Sequence, residues 1–359
     1  MTTIRIIAHN VTSPIGLTTD ENVAAVIAGR SALRRHEGKW GLPDAFCASL
    51  FDDTQTTHIA SCLRHNGNGL TRFEQLCIYS AQQAISTAGI NAADADTQFF
   101  IATTKGNVEL LDNEHTDIPS ERTLLGRAAE TITSYFGNTR MPIVVSNACI
   151  SGLCAQIAAM RSLTLRQCRH AVVIGADVQS RFIVSGFQSA ATMILGCDES
   201  DTPASWRLAA GAIRNDANHI SGPSRIGEGS FNALRCVMHG VEPSHIAVIN
   251  AHGTATPYND DMEAIALARM GLQEIPVNTL KGTYGHTMGA AGVLESLLSM
   301  TAADQGLVLP TRGYETCGTA FHLNISRQQR TTNRHTVVKL ISGFGGCNAA
   351  MRYEKGGDR

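Results

Sequence analysis

An α/β architecture, a parallel or mixed sheet packed between helices, is the fold class this sequence predicts. Short apolar, β-branched runs alternate along the whole chain with longer stretches of helical periodicity. Apolar residues make up 43% of 359 positions and glycine 33 of them, which suits a compact enzyme with many tight connections. In chain order, the strands expected are Ile4–Ala8, Gln98–Thr103, Pro142–Ser146, His170–Ile174, His245–Asn250 and a late pair, Thr336–Ser342 and Asn348–Tyr353. The helices expected between them are Asp20–Ala28, Thr71–Ala88, Cys149–Leu165, Met262–Gly271 and Gly289–Ala303. A polar, turn-rich segment at Gly196–Ala204 reads as the junction of two halves, 1–198 and 199–359.

Composition removes several classes of function. A chain this long buries its own core and needs no disulfide framework. With 29 Lys and Arg against 31 Asp and Glu, net charge −2, it lacks the electrostatic footprint of a nucleic-acid binder. The N-terminal MTTIRIIAHN has an Arg inside a short β-like run, and nowhere do about 18 apolar residues follow one another, so neither a signal peptide nor a membrane span is expected. Ten cysteines lie scattered without a CxxC pair, as in a protein of a reducing compartment; a soluble cytoplasmic protein is the expectation. Only five of the 29 basic residues are lysines, at positions 39, 105, 281, 339 and 355, so each is conspicuous.

Four segments bear chemistry. In IVVSNACISGL, Cys149 follows a strand and stands where an apolar helix should begin; unpaired N–H groups there would lower its pKa and favour the thiolate. Taken alone, a cysteine after a strand is more often a buried core residue, as Cys154 is read here. In NAHGTATPYNDDMEA, His252 follows another strand end, and Gly253 and Pro257 make a rigid turn that aims a side chain. Asp260 and Glu263 downstream suit the start of a helix, and Asp261 is read as no more than that. In NTLKGTYGHTMGAAGVLE, His286 stands among glycines with Lys281 five residues before it, in a chain that hardly uses lysine. In GFGGCNAA, Phe344 lies between glycines and between two strands, a hairpin turn or a flap whose backbone N–H could hold an oxyanion. Carboxyl ends of strands are where α/β active sites gather. No phosphate-binding glycine loop and no zinc-hydrolase His spacing is present, so no nucleotide cofactor and no metal are assigned.

Five blocks in order, TSPIG (Thr12–Gly16), NACISGL, NAHGTATPYNDDMEA, KGTYGHTMGAAG and GFGGCNAA, resemble the β-ketoacyl-acyl-carrier-protein synthases of the thiolase fold, across residues 3 to 353. The Cys-His-His set is similar to that of the elongating synthases. The resemblance implies a five-layered αβαβα fold of two similar halves, and a homodimer, or a heterodimer with a ketosynthase paralogue, with sheets continuous across the interface. It also implies no cofactor, and an acyl carrier protein whose phosphopantetheine arm bears acyl and malonyl groups. Carried over residue by residue, Cys149 is the acylated nucleophile, His252 and His286 are the paired histidines, and Lys281, Glu263 and Asp260 support them. Phe344, beside Gly345, is the gating aromatic, and the N–H groups of Cys149 and Phe344 form the oxyanion hole. The reaction implied is decarboxylative condensation to a β-ketoacyl thioester in fatty acid, polyketide or polyene elongation, with both imidazoles poised near physiological pH. Two departures stand out. The family's Arg-Asp-Gly and Gly-Glu-Gly-Ala-Gly stretch is replaced by GCDESDTPAS running into WRLAAGAIRNDANHISGPS, as though a strand of the second half were deleted. Cys347 stands where the family usually has Thr, and Met288 where Glu is common. A non-catalytic chain-length partner is the alternative, but such partners typically lack the cysteine. A degradative thiolase would carry a C-terminal Cys-x-Gly motif.

Overall fold

A computed structural model describes residues 3–111, 117–181, 189–198, 205–219 and 222–356. Among these, the strands in chain order are β1 (Thr3–Thr12), β2 (Leu33–His36), β3 (Phe46–Ser49), β4 (Thr97–Ala102), β5 (Ile143–Val145), β6 (His170–Asp177), β7 (Ser189–Asp198), β8 (Trp206–Asn215), β9 (Ile246–Asn250), β10 (Val277–Asn278), β11 (Leu307–Val308), β12 (Arg330–Thr331), β13 (Thr336–Gly343) and β14 (Cys347–Lys355). The α-helices are α1 (Thr19–Ile27), α2 (Asp53–Ser61), α3 (Arg72–Ala88), α4 (Leu125–Tyr135), α5 (Ser151–Thr164), α6 (Glu228–Val237), α7 (Pro257–Arg269), α8 (Lys281–Tyr284) and α9 (Ala291–Asp304). None of these helices is long and apolar enough to cross a membrane.

Ten strands form one mixed sheet in the order β10-β9-β13-β14-β8-β1-β7-β6-β4-β5. It is two five-stranded arrays joined at β1 and β8 by a single pairing, Arg5 opposite Arg207. In each array the strands, numbered along the chain, lie in the spatial order third, second, fourth, fifth, first, and the first three of these neighbours are parallel in both. The remaining pairings are antiparallel in both. This repeat overturns the expectation of a deleted strand. The segment SAATMILGCD is β7, which pairs with β6 and β1 in the first array, and WRLAAGAIRN is β8, the opening strand of a complete second one.

Three hydrophobic clusters separate the layers. One packs α3 and α4 against the first array through Phe73, Ile78, Phe99 and Ile132, and another packs α6 and α7 against the second through Leu234, Leu267, Ile249 and Leu340. The largest lies between the arrays and is built on α5 and α9. A helix with apolar residues all round belongs in a core, and α9 (AGVLESLLSMTAAD) has twelve of its fourteen residues buried. The result is the αβαβα layering.

The two central helices touch backbone to backbone at their N-termini. A Cβ on Gly152 would lie 2.8 Å from Gly289 O, and one on Gly292 would lie 2.5 Å from Leu153 N. Only residues without a side chain permit this approach. The Gln156 amide crosses the seam: its Nε2 donates to Gly152 O (3.2 Å) and Gly292 O (3.0 Å), while Tyr353 Oη sits between Gln156 Oε1 (2.5 Å) and Ser296 Oγ (2.9 Å). Gly292→Ala is expected to force α5 and α9 apart and cost about 1–3 kcal/mol, the usual range for overpacking. Denaturant unfolding of the variant beside the parent protein measures it; an unchanged midpoint would disprove the seam's importance.

Candidate active site

Four connections at the carboxyl ends of strands converge at the N-termini of α5 and α9. The first runs from β5 into α5. The expected helix start at Cys149 is corrected: α5 begins at Ser151, and Cys149 occupies the preceding turn. That turn is tight, with Ala148 at φ 43°, Asn147 N donating to Ser151 Oγ (2.8 Å) and Ser151 Oγ donating to Ala148 O (2.6 Å). Cys149 is buried in consequence.

The second connection joins β9 to α7, which starts at Pro257, five residues before the expected Met262. Asp260 and Glu263 therefore lie within the helix and reach back to the loop. Glu263 accepts from His252 N through Oε1 and from Gly253 N through Oε2, both at 2.7 Å, and Asp260 Oδ1 accepts from Thr254 N at 3.1 Å. These carboxylates hold the backbone around His252. Asp261, read as an ordinary helix-start acid, instead accepts from Ala320 N (2.6 Å), tying down a loop that lines the cavity.

The third connection, from β10 to α9, passes through α8, with Lys281 at its start, then Gly285, His286 and Met288. Met288 N donates to His286 Nδ1 (3.2 Å). A backbone N–H can only donate, so Nδ1 carries no proton and the neutral ring bears its hydrogen on Nε2. The turn is anchored from the first array: Asp177, at the end of β6, accepts from Gly289 N (2.7 Å) and from the Thr103 and Thr104 hydroxyls (2.8 and 3.0 Å). The fourth connection is the β13–β14 hairpin, where Gly345 and Gly346 have φ of 83° and 72°. A Cβ on Gly343 would lie 3.3 Å from Cys149 N, so this hairpin's backbone is laid against the cysteine. Phe344 is 68% exposed and lines the cavity mouth.

Together these loops bring Cys149 Sγ and one ring nitrogen from each of His252 and His286 within 4.8 Å of one another. The imidazole rings stand edge to face, centroids 5.0 Å apart and planes at 80°. The trio floors a cavity of about 1130 Å³ that opens past Thr254, Thr256, Tyr314 and Phe344. Among the described residues, the same three atoms form the one group of this kind able to hold a metal ion; soft Cys and His donors would suit zinc, at the expense of the free thiol. Among the described residues, three of the eight non-glycine positions with positive φ, Ala148, Ala255 and Met288, sit in the loops carrying these side chains. Backbone strain of this kind gathers where tertiary packing dictates side-chain placement.

Burial dominates the electrostatics. It pushes the Cys149 thiol up to about 11, with the Lys281 ammonium pulling the other way. The expected depression by a helix N-terminus is therefore corrected: Cys149 lies outside the helix and desolvation of the thiolate outweighs it. Burial and the Lys281 charge lower His286 to about 3 and hold His252 well below the ordinary imidazole range. Both rings are neutral donors, but neither is poised near physiological pH as expected. Burial also raises Glu263 and Asp260, against the N–H bonds they accept.

Glu295, which the local sequence pattern did not single out, and Lys339, marked there only as one of five lysines, complete the set. Glu295, the one acid in the interior of α9, is buried between Lys281 Nζ (2.9 Å from Oε1) and Lys339 Nζ (2.6 Å from Oε2). Lys339 is a lysine inside the apolar strand VVKLIS. Charged residues inside such runs were the available signal. Because burial holds the thiol high, alkylation of Cys149 by iodoacetamide should rise about tenfold per pH unit from pH 7 to 10 without levelling, and Lys281→Met should slow it. Mass-spectrometric rates would refute this by reaching a plateau near pH 8.

Comparisons with known proteins bear on the family and the fold. Residues 1–204 match the family model for the β-ketoacyl synthase N-terminal domain, and residues 207–315 match that for the C-terminal domain. The 3-oxoacyl-[acyl-carrier-protein] synthase 1 of Escherichia coli (strain K12) is 33% identical over 147 residues, 40% of this chain and 35% of that protein. The tetracenomycin polyketide synthase ketoacyl synthase alpha subunit of Streptomyces glaucescens is 32% identical over 148 residues, 39% of this chain and 34% of that protein. The aligned part thus spans about a third of the length of these curated relatives. In three dimensions, a β-ketoacyl synthase from Burkholderia phymatum superposes with a TM-score of 0.85 at 20% identity, covering 99% of this chain and all of that one. A ketosynthase in complex with its chain length factor from Xenorhabdus doucetiae gives 0.85 at 19% identity, covering 99% and 98%. Since a family model takes in more than half of its residues, the chain belongs to the β-ketoacyl synthase family.

Proposed function

We propose that this protein is a decarboxylating condensing enzyme that elongates acyl chains held on an acyl carrier protein. The observation that carries the reading is the Cys149, His252 and His286 trio, within 4.8 Å at the floor of one cavity. In the first step the Cys149 sulfur attacks the acyl thioester; the new S–C bond replaces the carrier's, and the thiol proton leaves with the carrier's phosphopantetheine thiol. Splitting carbon–carbon bond formation into two steps through a covalent intermediate is the gain from nucleophilic catalysis. A malonyl thioester then enters and loses carbon dioxide, its electron pair moving onto the thioester oxygen. That oxyanion is met by the Nε2–H of His286 and by a ring N–H of His252, both neutral because burial keeps them so. The carbanion attacks the acyl carbon, Cys149 thiolate departs and takes a proton from water, and a β-ketoacyl thioester remains on the carrier. The N–H groups of Cys149 and Phe344 are the oxyanion donors in this scheme, which the close approach of Gly343 to Cys149 N supports. Lys281, Glu263 and Asp260 position the histidines, and Gly345 gives the hairpin its turn.

The two halves of the reading, 1–198 and 199–359, each supply part of the site: the first the nucleophile, the second both histidines. A cytoplasmic setting is supported by ten cysteines that are all free. The non-catalytic partner reading is disfavoured by the retained Cys149. A dimer is supported by β5, an edge strand of the sheet that carries exposed Ile143 and is preceded by exposed Met141; unpaired edges with apolar neighbours invite pairing with another chain.

Incubation with acyl carrier proteins or acyl-coenzyme A should yield a mass adduct on Cys149 that Cys149→Ala abolishes. His252→Ala and His286→Ala should retain the adduct yet lose about 10²–10³-fold in carbon dioxide release from malonyl carrier protein, the range for removing one oxyanion donor. Absence of both adduct and carbon dioxide with every donor would favour the partner reading. Because both imidazoles stay neutral, the condensation rate should show no histidine inflection between about pH 6 and 8, the range in which an ordinary imidazole titrates. The paired variant Met141→Glu, Ile143→Lys should halve the mass seen by light scattering; an unchanged mass would remove β5 from the interface.

A further inference from the structure

Lys339 is the least expected residue of the core. It lies mid-strand in β13 with Val337, Val338, Leu340 and Ile341 around it, and like them it has no exposed surface. A buried ammonium is costly unless it is paired and hydrogen-bonded. Here every donor is used: Nζ reaches Glu295 Oε2 (2.6 Å), Ala251 O (3.2 Å) and Asn250 O (3.4 Å), and an ammonium has three N–H bonds to give. Those oxygens are not arbitrary. Asn250, the register partner of Lys339 across the sheet, ends β9, and Ala251 directly precedes His252. Glu295 spends its other oxygen on Lys281, which opens the short helix leading to His286. One cation therefore clamps the backbone of one histidine loop to the ion pair that supports the other.

Resting on the condensing reading, we propose that Lys339 is a positioning residue, its ammonium setting the separation and orientation of the His252 and His286 rings by tying the end of β9 to the Glu295–Lys281 pair. An apolar side chain would serve the strand as well or better, so the charge answers to the site. The groups facing it are Glu295 on α9, Lys281 on α8, Glu263 on α7 and the two histidines. Its charge also opposes protonation of both imidazoles, alongside that of Lys281. Cys149 stands in the connection from β5 to α5 on the first array, none of whose atoms Lys339 Nζ bonds, so the clamp bears on the decarboxylation half-reaction more than on acyl transfer.

The test uses the full chain with Lys339→Met and Lys339→Ala, reading four quantities: Cys149 adduct formation, kcat and KM for carbon dioxide release from malonyl carrier protein, the pH profile of that release, and thermal stability. In Lys339→Met, adduct formation should stay within about threefold of the parent while kcat for decarboxylation falls about 10–100-fold at near-constant KM, the scale of an ångström-sized misplacement. The acid limb of the profile should move to higher pH. Ammonium or methylammonium salts should restore part of the Lys339→Ala rate, and sodium salts should not. A decarboxylation rate within about twofold of the parent would overturn the proposal, as would a parallel loss of adduct formation and decarboxylation, which marks a merely structural lysine. If the parent protein itself forms no adduct and releases no carbon dioxide, the condensing reading falls, and Lys339 is judged by NMR titration of the His252 and His286 rings: identical titration in parent and Lys339→Met would overturn its role.

Discussion

The structure depends on the backbone contact between α5 and α9. The two helices, one from each half, form the central layer, and each follows a loop that carries a candidate site residue. Because Gly152 and Gly292 let the two N-termini meet without intervening side chains, Cys149 and His286 are brought to one point although they lie far apart along the chain. A side chain at either glycine would force the two N-termini, and the loops that lead into them, apart. The repeated strand order delivers the fourth loop, the β13–β14 hairpin, to the same point, so the site is a property of the stacking of two similar halves and of neither alone.

The second constraint is charge in a dry place. The trio is buried, which keeps the thiol protonated and the imidazoles neutral until substrate arrives. Around it lies a small set of compensated ions. Glu295 neutralises one of two lysines, and the excess positive charge faces the site, where Lys281 pulls against the effect of burial on Cys149. Glu263 is balanced by two backbone N–H groups at the histidine loop. In the proposed condensation negative charge appears transiently, on an enolate and then on a tetrahedral oxygen, and the positive groups are in place before that charge develops.

The central strands and the most apolar helices are legible from periodicity, since strands and buried helices differ in length and β-branching, whereas β2, β3, α2, α4 and α6 were not expected. The departures are of a few kinds. Helix starts are displaced, at Ser151 in place of Cys149 and Pro257 in place of Met262, because capping turns with positive φ leave no mark in a hydrophobic pattern. The expectation of a deleted strand is an error of register against the family pattern: SAATMILGCD is too rich in small residues to announce itself as a strand until it is seen between β6 and β1. The place of Cys149 after a strand is a local cue to a lowered pKa, whereas the actual direction follows from burial by residues of both halves. Lys339 is one of five lysines, and Lys281 is the one its glycine-rich turn makes conspicuous; the charged residue inside an apolar strand was the clue to the other.

By itself the sequence determined the α/β class, the alternation of elements, the four loops that carry the candidate site residues and the scarcity of lysine that made Lys281 conspicuous. These are consequences of local pattern and residue chemistry, which a chain displays without folding. Only the tertiary structure decided that Cys149, His252 and His286 share one cavity, that Glu295 joins two buried lysines, that Asp177 of one half anchors the His286 turn of the other, and that desolvation sets the protonation of the trio. Each of these rests on contacts between residues distant in the chain. Burial, the strongest influence on the charge state of the trio, does not exist until those contacts are made.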